Sequence, residues 1–219
     1  MTPSLSRWED LLGEAFTIVD AVNSASTILD CWTFGGGTAL MLQIEHRESH
    51  DVDLFVEDPQ LLPYIEAAVA DLRFGVGAPT YDGDGRGHLK IAFDGVGEID
   101  FIVAGQVTAK PSQAHDILGR MVLLETVPEI IAKKIRFRGS RIQPRDIFDI
   151  AAAVEAGHGD DIRSVLSELP EDVSRTTMRL TALSPEYVET VISQLMIRPA
   201  YAGLVKRALP IARDALASL

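Results

Sequence analysis

The chain has 219 residues, 47% of them apolar and 24% charged, an ordinary globular mixture long enough to bury one or two cores. Twenty Lys and Arg face 32 Asp and Glu, and the net charge of −12 excludes a protein coated in basic surface for nucleic acid, though not a local basic patch. A single cysteine, Cys31, excludes an internal disulfide and a Cys-rich metal site; no apolar run approaches the ~18 residues that cross a bilayer; Met1 to Glu14 shows no basic-then-apolar leader. The reducing cytoplasm is the expected compartment.

Leu11, Leu12, Ala15, Phe16, Val19 and Val22 recur at helical spacing and predict a helix from Trp8 to about Ala25. Cys31–Phe34 is short and β-prone and runs into Gly35-Gly36-Gly37. Thr38 is a candidate cap for a helix from Ala39 to about His46. Asp51–Val56 alternates polar and apolar residues until Glu57-Asp58-Pro59, which predicts a strand. A helix is expected over Leu61–Leu72, and a loop or hairpin over the Gly- and Asp-rich Gly75–Gly87. His88–Phe93 and Glu98–Val103 read as strands paired across Asp94-Gly95, and Met121–Val127 as a further strand. Cys31, beside an apolar strand, is expected to be a buried small hydrophobe.

From Pro128 onward the pattern is helical. Pro128 suits a first helical turn reaching about Phe137, Gly139 and Ser140 break it, and Pro144 opens a helix through Ala156. Gly157–Gly159 punctuates, and three or four more helices follow to Leu219. The expected fold class is α+β: a small mixed β-sheet core with flanking helices over residues 1–127, then a helical domain over 128–219 that completes an active-site cleft.

Charge is divided unevenly. Residues 1–110 hold six basic and 18 acidic side chains, and residues 111–219 hold 14 of each. Within the second stretch Lys133, Lys134, Arg136, Arg138, Arg141 and Arg145 follow one another without an acid. A cation-gathering acidic half and an anion-holding basic segment fit this asymmetry, and so does a plain solvated helix.

Residues two apart in a strand share a face, so Asp51 and Asp53 project together. Like charges that close repel unless hydrated or bridged by a cation, and Mg²⁺ prefers such carboxylate oxygens. A solvent-facing edge strand explains a bare D-x-D equally well. Asp100 in Glu98-Ile-Asp-Phe would supply a third carboxylate if its strand is a neighbour, with Glu98 its rival. Three carboxylates suit two divalent ions on the phosphates of a nucleotide. The turn Gly35–Gly37 allows backbone N–H groups to approach a phosphate, and Thr38 and Ser49 offer hydroxyls. Lys134 and Arg138, four apart, share a helix face.

Gly36-Gly37-Thr38-Ala39-Leu40, then His46-Arg47-x-Ser49-x-Asp51-x-Asp53-Leu54-Phe55, then Lys134-Ile135 and Arg141-x-x-x-Arg145-Asp146-x-x-Asp149, resemble the AbiEii/AbiGii-type toxin nucleotidyltransferases of the polymerase-β-like superfamily. The resemblance spans residues 34–150. It implies that Asp51 and Asp53 bind metal, with Asp100 as the third carboxylate. Gly36, Gly37 and Ser49 would serve the nucleotide; Thr38 offers a further hydroxyl, and Arg47 either contacts the nucleotide or merely caps the preceding helix. Lys134 and Arg145 would neutralise the triphosphate, and Asp146 would be a catalytic acid or, alternatively, a structural partner of Arg145. The implied reaction is Mg²⁺-dependent (or Mn²⁺-dependent) transfer of a nucleoside monophosphate from an NTP to a hydroxyl of an RNA, often tRNA, or of a protein. The implied biology is a toxin opposed by a separately encoded antitoxin. The competing expectations are a nucleotide-binding regulatory module with little transferase activity and a small-molecule (antibiotic-type) nucleotidyltransferase. An aspartyl-nucleophile phosphatase also uses D-x-D but wants Thr or Val where Phe55 stands.

Overall fold

The protein is described here over residues 6–217 by a computed structural model. Residues 1–5 of the stretch read for a leader, and the last two of the helix expected to reach Leu219, lie outside the described residues. The chain divides into two compact units. Among the described residues the first comprises 6–39, 49–106 and 112–125, and the second 40–48, 107–111 and 126–217.

The first unit is a seven-stranded mixed sheet with two helices. In chain order the elements are α1 (Trp8–Val22), β1 (Trp32–Gly35), the start of α2 (Gly36–Ile44), β2 (Val52–Val56), α3 (Leu62–Asp71), β3 (Pro79–Gly83), β4 (His88–Phe93), β5 (Gly97–Val103), β6 (Ser112–Ile117) and β7 (Arg120–Glu125). The strand order is β3-β4-β5-β2-β1-β7-β6, with β2/β5 and β1/β7 parallel and the other neighbours antiparallel. One sheet face is apolar: Val52, Leu54, Val56, Ile99, Phe101, Leu89 and Ile91 are buried with Leu11, Ala15 and Ile18 of α1 and Ile65 and Val69 of α3. Each such side chain contributes roughly 1.5–3 kcal/mol. Strict alternation then turns Asp53, Phe55, Asp100, Ile102 and Lys90 to the opposite face.

The second unit is helical: α4 (Val127–Arg138), α5 (Pro144–Ala153), α6 (Gly159–Leu166), α7 (Pro170–Ala182), α8 (Pro185–Ile192) and α9 (Ala208–Ala217). Thr126 caps α4 by accepting from the Glu129 N–H, and Pro128 lies in the first turn, where its missing N–H is no loss. The fully buried Glu129 carboxylate accepts from the N–H groups of Val107 and Thr108 at 3.0 and 2.8 Å, which fastens residues 107–111 to this unit. Between α4 and α5, Gly139 packs on α7 so closely that a Cβ would strike the Thr176 hydroxyl.

Several expectations are corrected. Thr38 is not a cap, because α2 starts directly at Gly36; its hydroxyl donates instead to the Asp51 carbonyl. Asp51 precedes β2 rather than opening it. Gly75–Gly87 contains strand β3, and β6 went unread because Ser112–Ile117 is a largely exposed edge strand with almost no apolar alternation. The helix from Pro144 ends at Ala153 in a wider turn, Val154–His158, released by Gly157 at φ 96°. Cys31 is exposed rather than buried, and Asp30 beside it raises its thiol pKa.

Candidate active site

Candidate chemistry collects in two places, one in each unit. In the first unit the strands set a row of register partners across the polar sheet face. Gly35 of β1 faces Asp53 of β2, Asp53 faces Asp100 of β5, and Asp100 faces Lys90 of β4. Neighbouring strands lie about 4.8 Å apart, so the row is held in place by backbone hydrogen bonds rather than by side-chain packing. Two glycines make room for it. Gly36 has φ +70°, a conformation L-residues resist, and a Cβ there would collide with the Asp53 carboxylate; a Cβ at Gly35 would collide with the carboxylate of Glu125 and the ring of Phe55.

The row carries an electrostatic load. Burial pushes the Asp100 carboxyl from 3.8 up to about 7, Asp53 adds to the rise, and Lys90 at 3.8 Å opposes it. Lys90 also pairs with Glu98, and Asp51 lies one row along, its Oδ1 accepting from the Glu98 N–H at 3.2 Å. Asp53 and Asp100 are thus the direct neighbours, while Glu98 accompanies Asp51. Such a row of hard carboxylate oxygens fits a divalent ion of the Mg²⁺ or Mn²⁺ type. Among the described residues, no group of three or more His, Cys, Asp or Glu is gathered in a metal-holding arrangement. Glu125, 1% exposed and accepting from the Thr33 hydroxyl at 2.7 Å, is a further carboxylate beside Gly35 that sequence reasoning missed.

In the second unit Asp149 is the centre of a buried charge network. Its Oδ1 accepts from Arg47 Nε at 2.7 Å and from His46 Nε2 at 2.8 Å, and its Oδ2 accepts from Arg47 Nη2 at 3.1 Å and lies 3.0 Å from Lys134 Nζ. Because a carboxylate only accepts, the His46 proton sits on Nε2; the ring stacks on Phe148 and meets Tyr201 edge-on. Lys134 also donates to Asp146 Oδ1 at 2.7 Å, and Arg138 reaches that oxygen at 3.5 Å. Burial alone would raise both aspartates, but Arg47 and Lys134 hold Asp149 well below the usual carboxylate range, and Lys134 holds Asp146 down. Burial would likewise lower Lys134, but Asp146 and Asp149 reverse the sign and raise it.

A family model described as nucleotidyl transferase AbiEii toxin, type IV TA system, matches residues 17–216. The chain belongs to that family. It is a nucleotidyltransferase of the toxin type, and the fold agrees. MenT4, a nucleotidyltransferase toxin from Mycobacterium tuberculosis, superposes with a TM-score of 0.56 at 17% identity, over 97% of this chain and 85% of that one. JHP933 from Helicobacter pylori superposes with a TM-score of 0.51 at 16% identity, over 98% and 93%. No curated protein sequence matches the chain.

Within this AbiEii-family chain the residues singled out beforehand fall into two sets. Gly36, Gly37, Thr38, Ser49, Asp51, Asp53 and Asp100 belong to the first unit, and Arg47, Lys134, Arg145 and Asp146 to the second. Asp53 and Asp100 come together by register, and Lys134 and Asp146 by an ion pair. Asp146 is partnered by Lys134 and Arg138 rather than by Arg145. Ser49 is 7% exposed, and its carbonyl accepts from Ser6. Asp149 and His46 were missed as members of the network. The spacing Asp146-x-x-Asp149 was the available signal, since residues three apart share a helix face.

Proposed function

We propose that this AbiEii-family enzyme transfers a nucleoside monophosphate from an NTP to a hydroxyl of an RNA acceptor, tRNA included, with Mg²⁺ held by Asp53 and Asp100 and assisted by Asp51. The observation that carries the reading is the in-register Asp53–Asp100 pair beside Gly36, the glycine whose bare backbone leaves space for the Asp53 carboxylate. A divalent ion bound there supplies Lewis-acid stabilisation of phosphoryl oxygens. The protein's own groups do the rest. Gly36 and Gly37 leave backbone N–H groups accessible to a phosphate, with Ser49 and Thr38 flanking them. In the second unit Arg145 and Lys134 are the basic groups offered to phosphate, Arg47 is kept in place by Asp149, and Lys134 is held by Asp146 and Asp149. A separately encoded antitoxin opposing the enzyme is part of the same reading.

The test is incubation with each labelled NTP, Mg²⁺ and total RNA, followed by separation of RNA from protein. Label in RNA that disappears with EDTA and with Asp53→Asn is the expected outcome. Label confined to protein would overturn the acceptor, and incorporation that survives Asp53→Asn would overturn the metal site. Asp53→Asn should melt at the same temperature as the wild type or higher, because it removes one of two crowded charges; a large loss of stability would mark the pair as structural.

A further inference from the structure

The second unit carries an arginine-rich strip that the charge network does not consume. Seven side chains are exposed between residues 136 and 145: Arg136, Phe137, Arg138, Ser140, Arg141, Gln143 and Arg145. None is acidic. The acid of this segment, Asp146, is fully buried and turned inward to Lys134. Lys134 and Arg138 both reach Asp146, which draws the last turn of α4 against the first turn of α5, so the exposed residues follow one another along the chain around that junction. Gly139, wedged on Thr176 of α7, fixes the bend.

Among the described residues, Arg136, Arg141 and Arg145 pair with no carboxylate, and Arg138 reaches Asp146 only at 3.5 Å. Phe137 keeps 49% of its surface exposed, with the Arg136 guanidinium 5.9 Å from its ring centre. An exposed phenyl ring amid unpaired guanidinium groups is a poor arrangement for water and a good one for a strand of alternating phosphates and flat bases. The surroundings sharpen the contrast. The first unit counts five basic against 18 acidic side chains, a net of −13, whereas the second counts 15 against 14. A polyanion is repelled by most of this chain, which leaves the strip as a preferred landing place.

We infer that the α4–α5 junction, through Arg136, Phe137, Arg138 and Arg141, is the docking surface for a single-stranded segment of RNA, the arginines gripping phosphates and Phe137 stacking on a base. This rests on the proposed RNA acceptor and adds the place at which it is held. An acidic peptide would satisfy the arginines but has no use for the ring, so RNA is the occupant that employs the whole strip. Unlike duplex RNA, an unpaired segment exposes base faces to an aromatic side chain.

The experiment measures anisotropy of a fluorescein-labelled, unstructured 15-nucleotide RNA against the full chain at several KCl concentrations. Arg136→Ala/Arg141→Ala, which breaks no ion pair, should weaken binding at least 10-fold at about 0.1 M salt and lower the slope of log affinity against log salt by about 1.4, roughly 0.7 per lost phosphate contact. Phe137→Ala should weaken binding by about 5- to 100-fold with the slope unchanged, and Phe137→Trp should restore it. Melting curves and NTP affinity, expected to stay at wild-type values, exclude misfolding as the cause. Unchanged RNA affinity and slope in the double variant would overturn the inference. So would equal competition by poly-glutamate at matched charge, which would point to an acidic protein instead. Transfer of label in a protein whose RNA binding ignores these substitutions defeats the strip but not the enzyme. Strip-dependent RNA binding without transfer to any acceptor does the reverse.

Discussion

Asp149→Asn is the sharpest probe of the second unit. Asp149 is fully buried and is the shared acceptor for Arg47, His46 and Lys134 at 2.7–3.1 Å. Asparagine keeps the shape but removes the charge, leaving Arg47 without its bidentate partner and Lys134 with Asp146 alone. Unbalancing a buried network of this kind costs about 3–5 kcal/mol, which at roughly 2–4 °C per kcal/mol for a chain of this size is a fall of about 6–20 °C in melting temperature at pH 7. Acid provides the second reading. The native pKa of Asp149 lies well below its ordinary value near 4, so its charge stabilises the fold above that pH and ceases to as pH falls through the native value. Denaturant melts of the wild type and variant should therefore differ most at pH 7, and the gap should begin to narrow as pH falls below about 4. A control, Asp160→Asn, removes the pair with Arg163 at a 94%-exposed carboxylate and should change little. Equal stability at pH 7, or a gap that persists undiminished at pH 3, would refute the assignment of Asp149 as the charge that holds this network.

Three further outcomes are expected. Asp100→Asn should raise the melting temperature of metal-free protein at pH 8 and have little effect at pH 3. A carboxyl held at about 7 in the fold rather than 3.8 lets the unfolded chain ionise first, so the wild type loses on the order of 4 kcal/mol progressively between about pH 4 and pH 7, and the loss is complete above pH 7. Added Mg²⁺ should reverse the order at pH 8, and a variant less stable than wild type without metal would contradict this. Gly36→Ala should cut nucleotide transfer by at least ~100-fold and destabilise by about 1–3 kcal/mol, since it both strains φ +70° and evicts the Asp53 carboxylate; near-normal turnover would show that Asp53 is free to work from elsewhere. Lys134→Ala should weaken NTP binding more than Mg²⁺ binding in parallel titrations, and unaltered nucleotide affinity would remove Lys134 from the phosphate side.

What was legible in the sequence followed period and punctuation. Asp53 could be placed because Val52, Leu54 and Val56 alternate with it, and α4 because Pro128 opens a helical run, whereas the cap Thr126 was read as part of a strand. What was hidden depended on partners distant along the chain. Asp53 and Asp100 are register neighbours although β3 and β4 intervene between their strands, and no local pattern selects β5 rather than another strand. Asp149 was legible as the last residue of the Arg145-Asp146-x-x-Asp149 motif but not as the hub of a network, because its partner Arg47 lies 102 residues earlier. Thr38 failed as a cap because Gly36, with its positive φ, starts the helix unaided. The edge strand β6 failed because a strand with one pairing partner and little burial has no reason to show alternation.

The long separation between Arg47 and Asp149 has a consequence for biogenesis. At about 5–20 residues per second, the ribosome makes His46 and Arg47 some 5–20 s before it makes the carboxylate they share. Until then the Arg47 guanidinium has no counter-ion and the His46 ring has no acceptor, and residues 40–48 lack the anchor that ties them to the helical unit they belong to. A product truncated before α5 is therefore expected to be a poor folder and ready prey for proteases, because residues 40–48 then lack the carboxylate that anchors them.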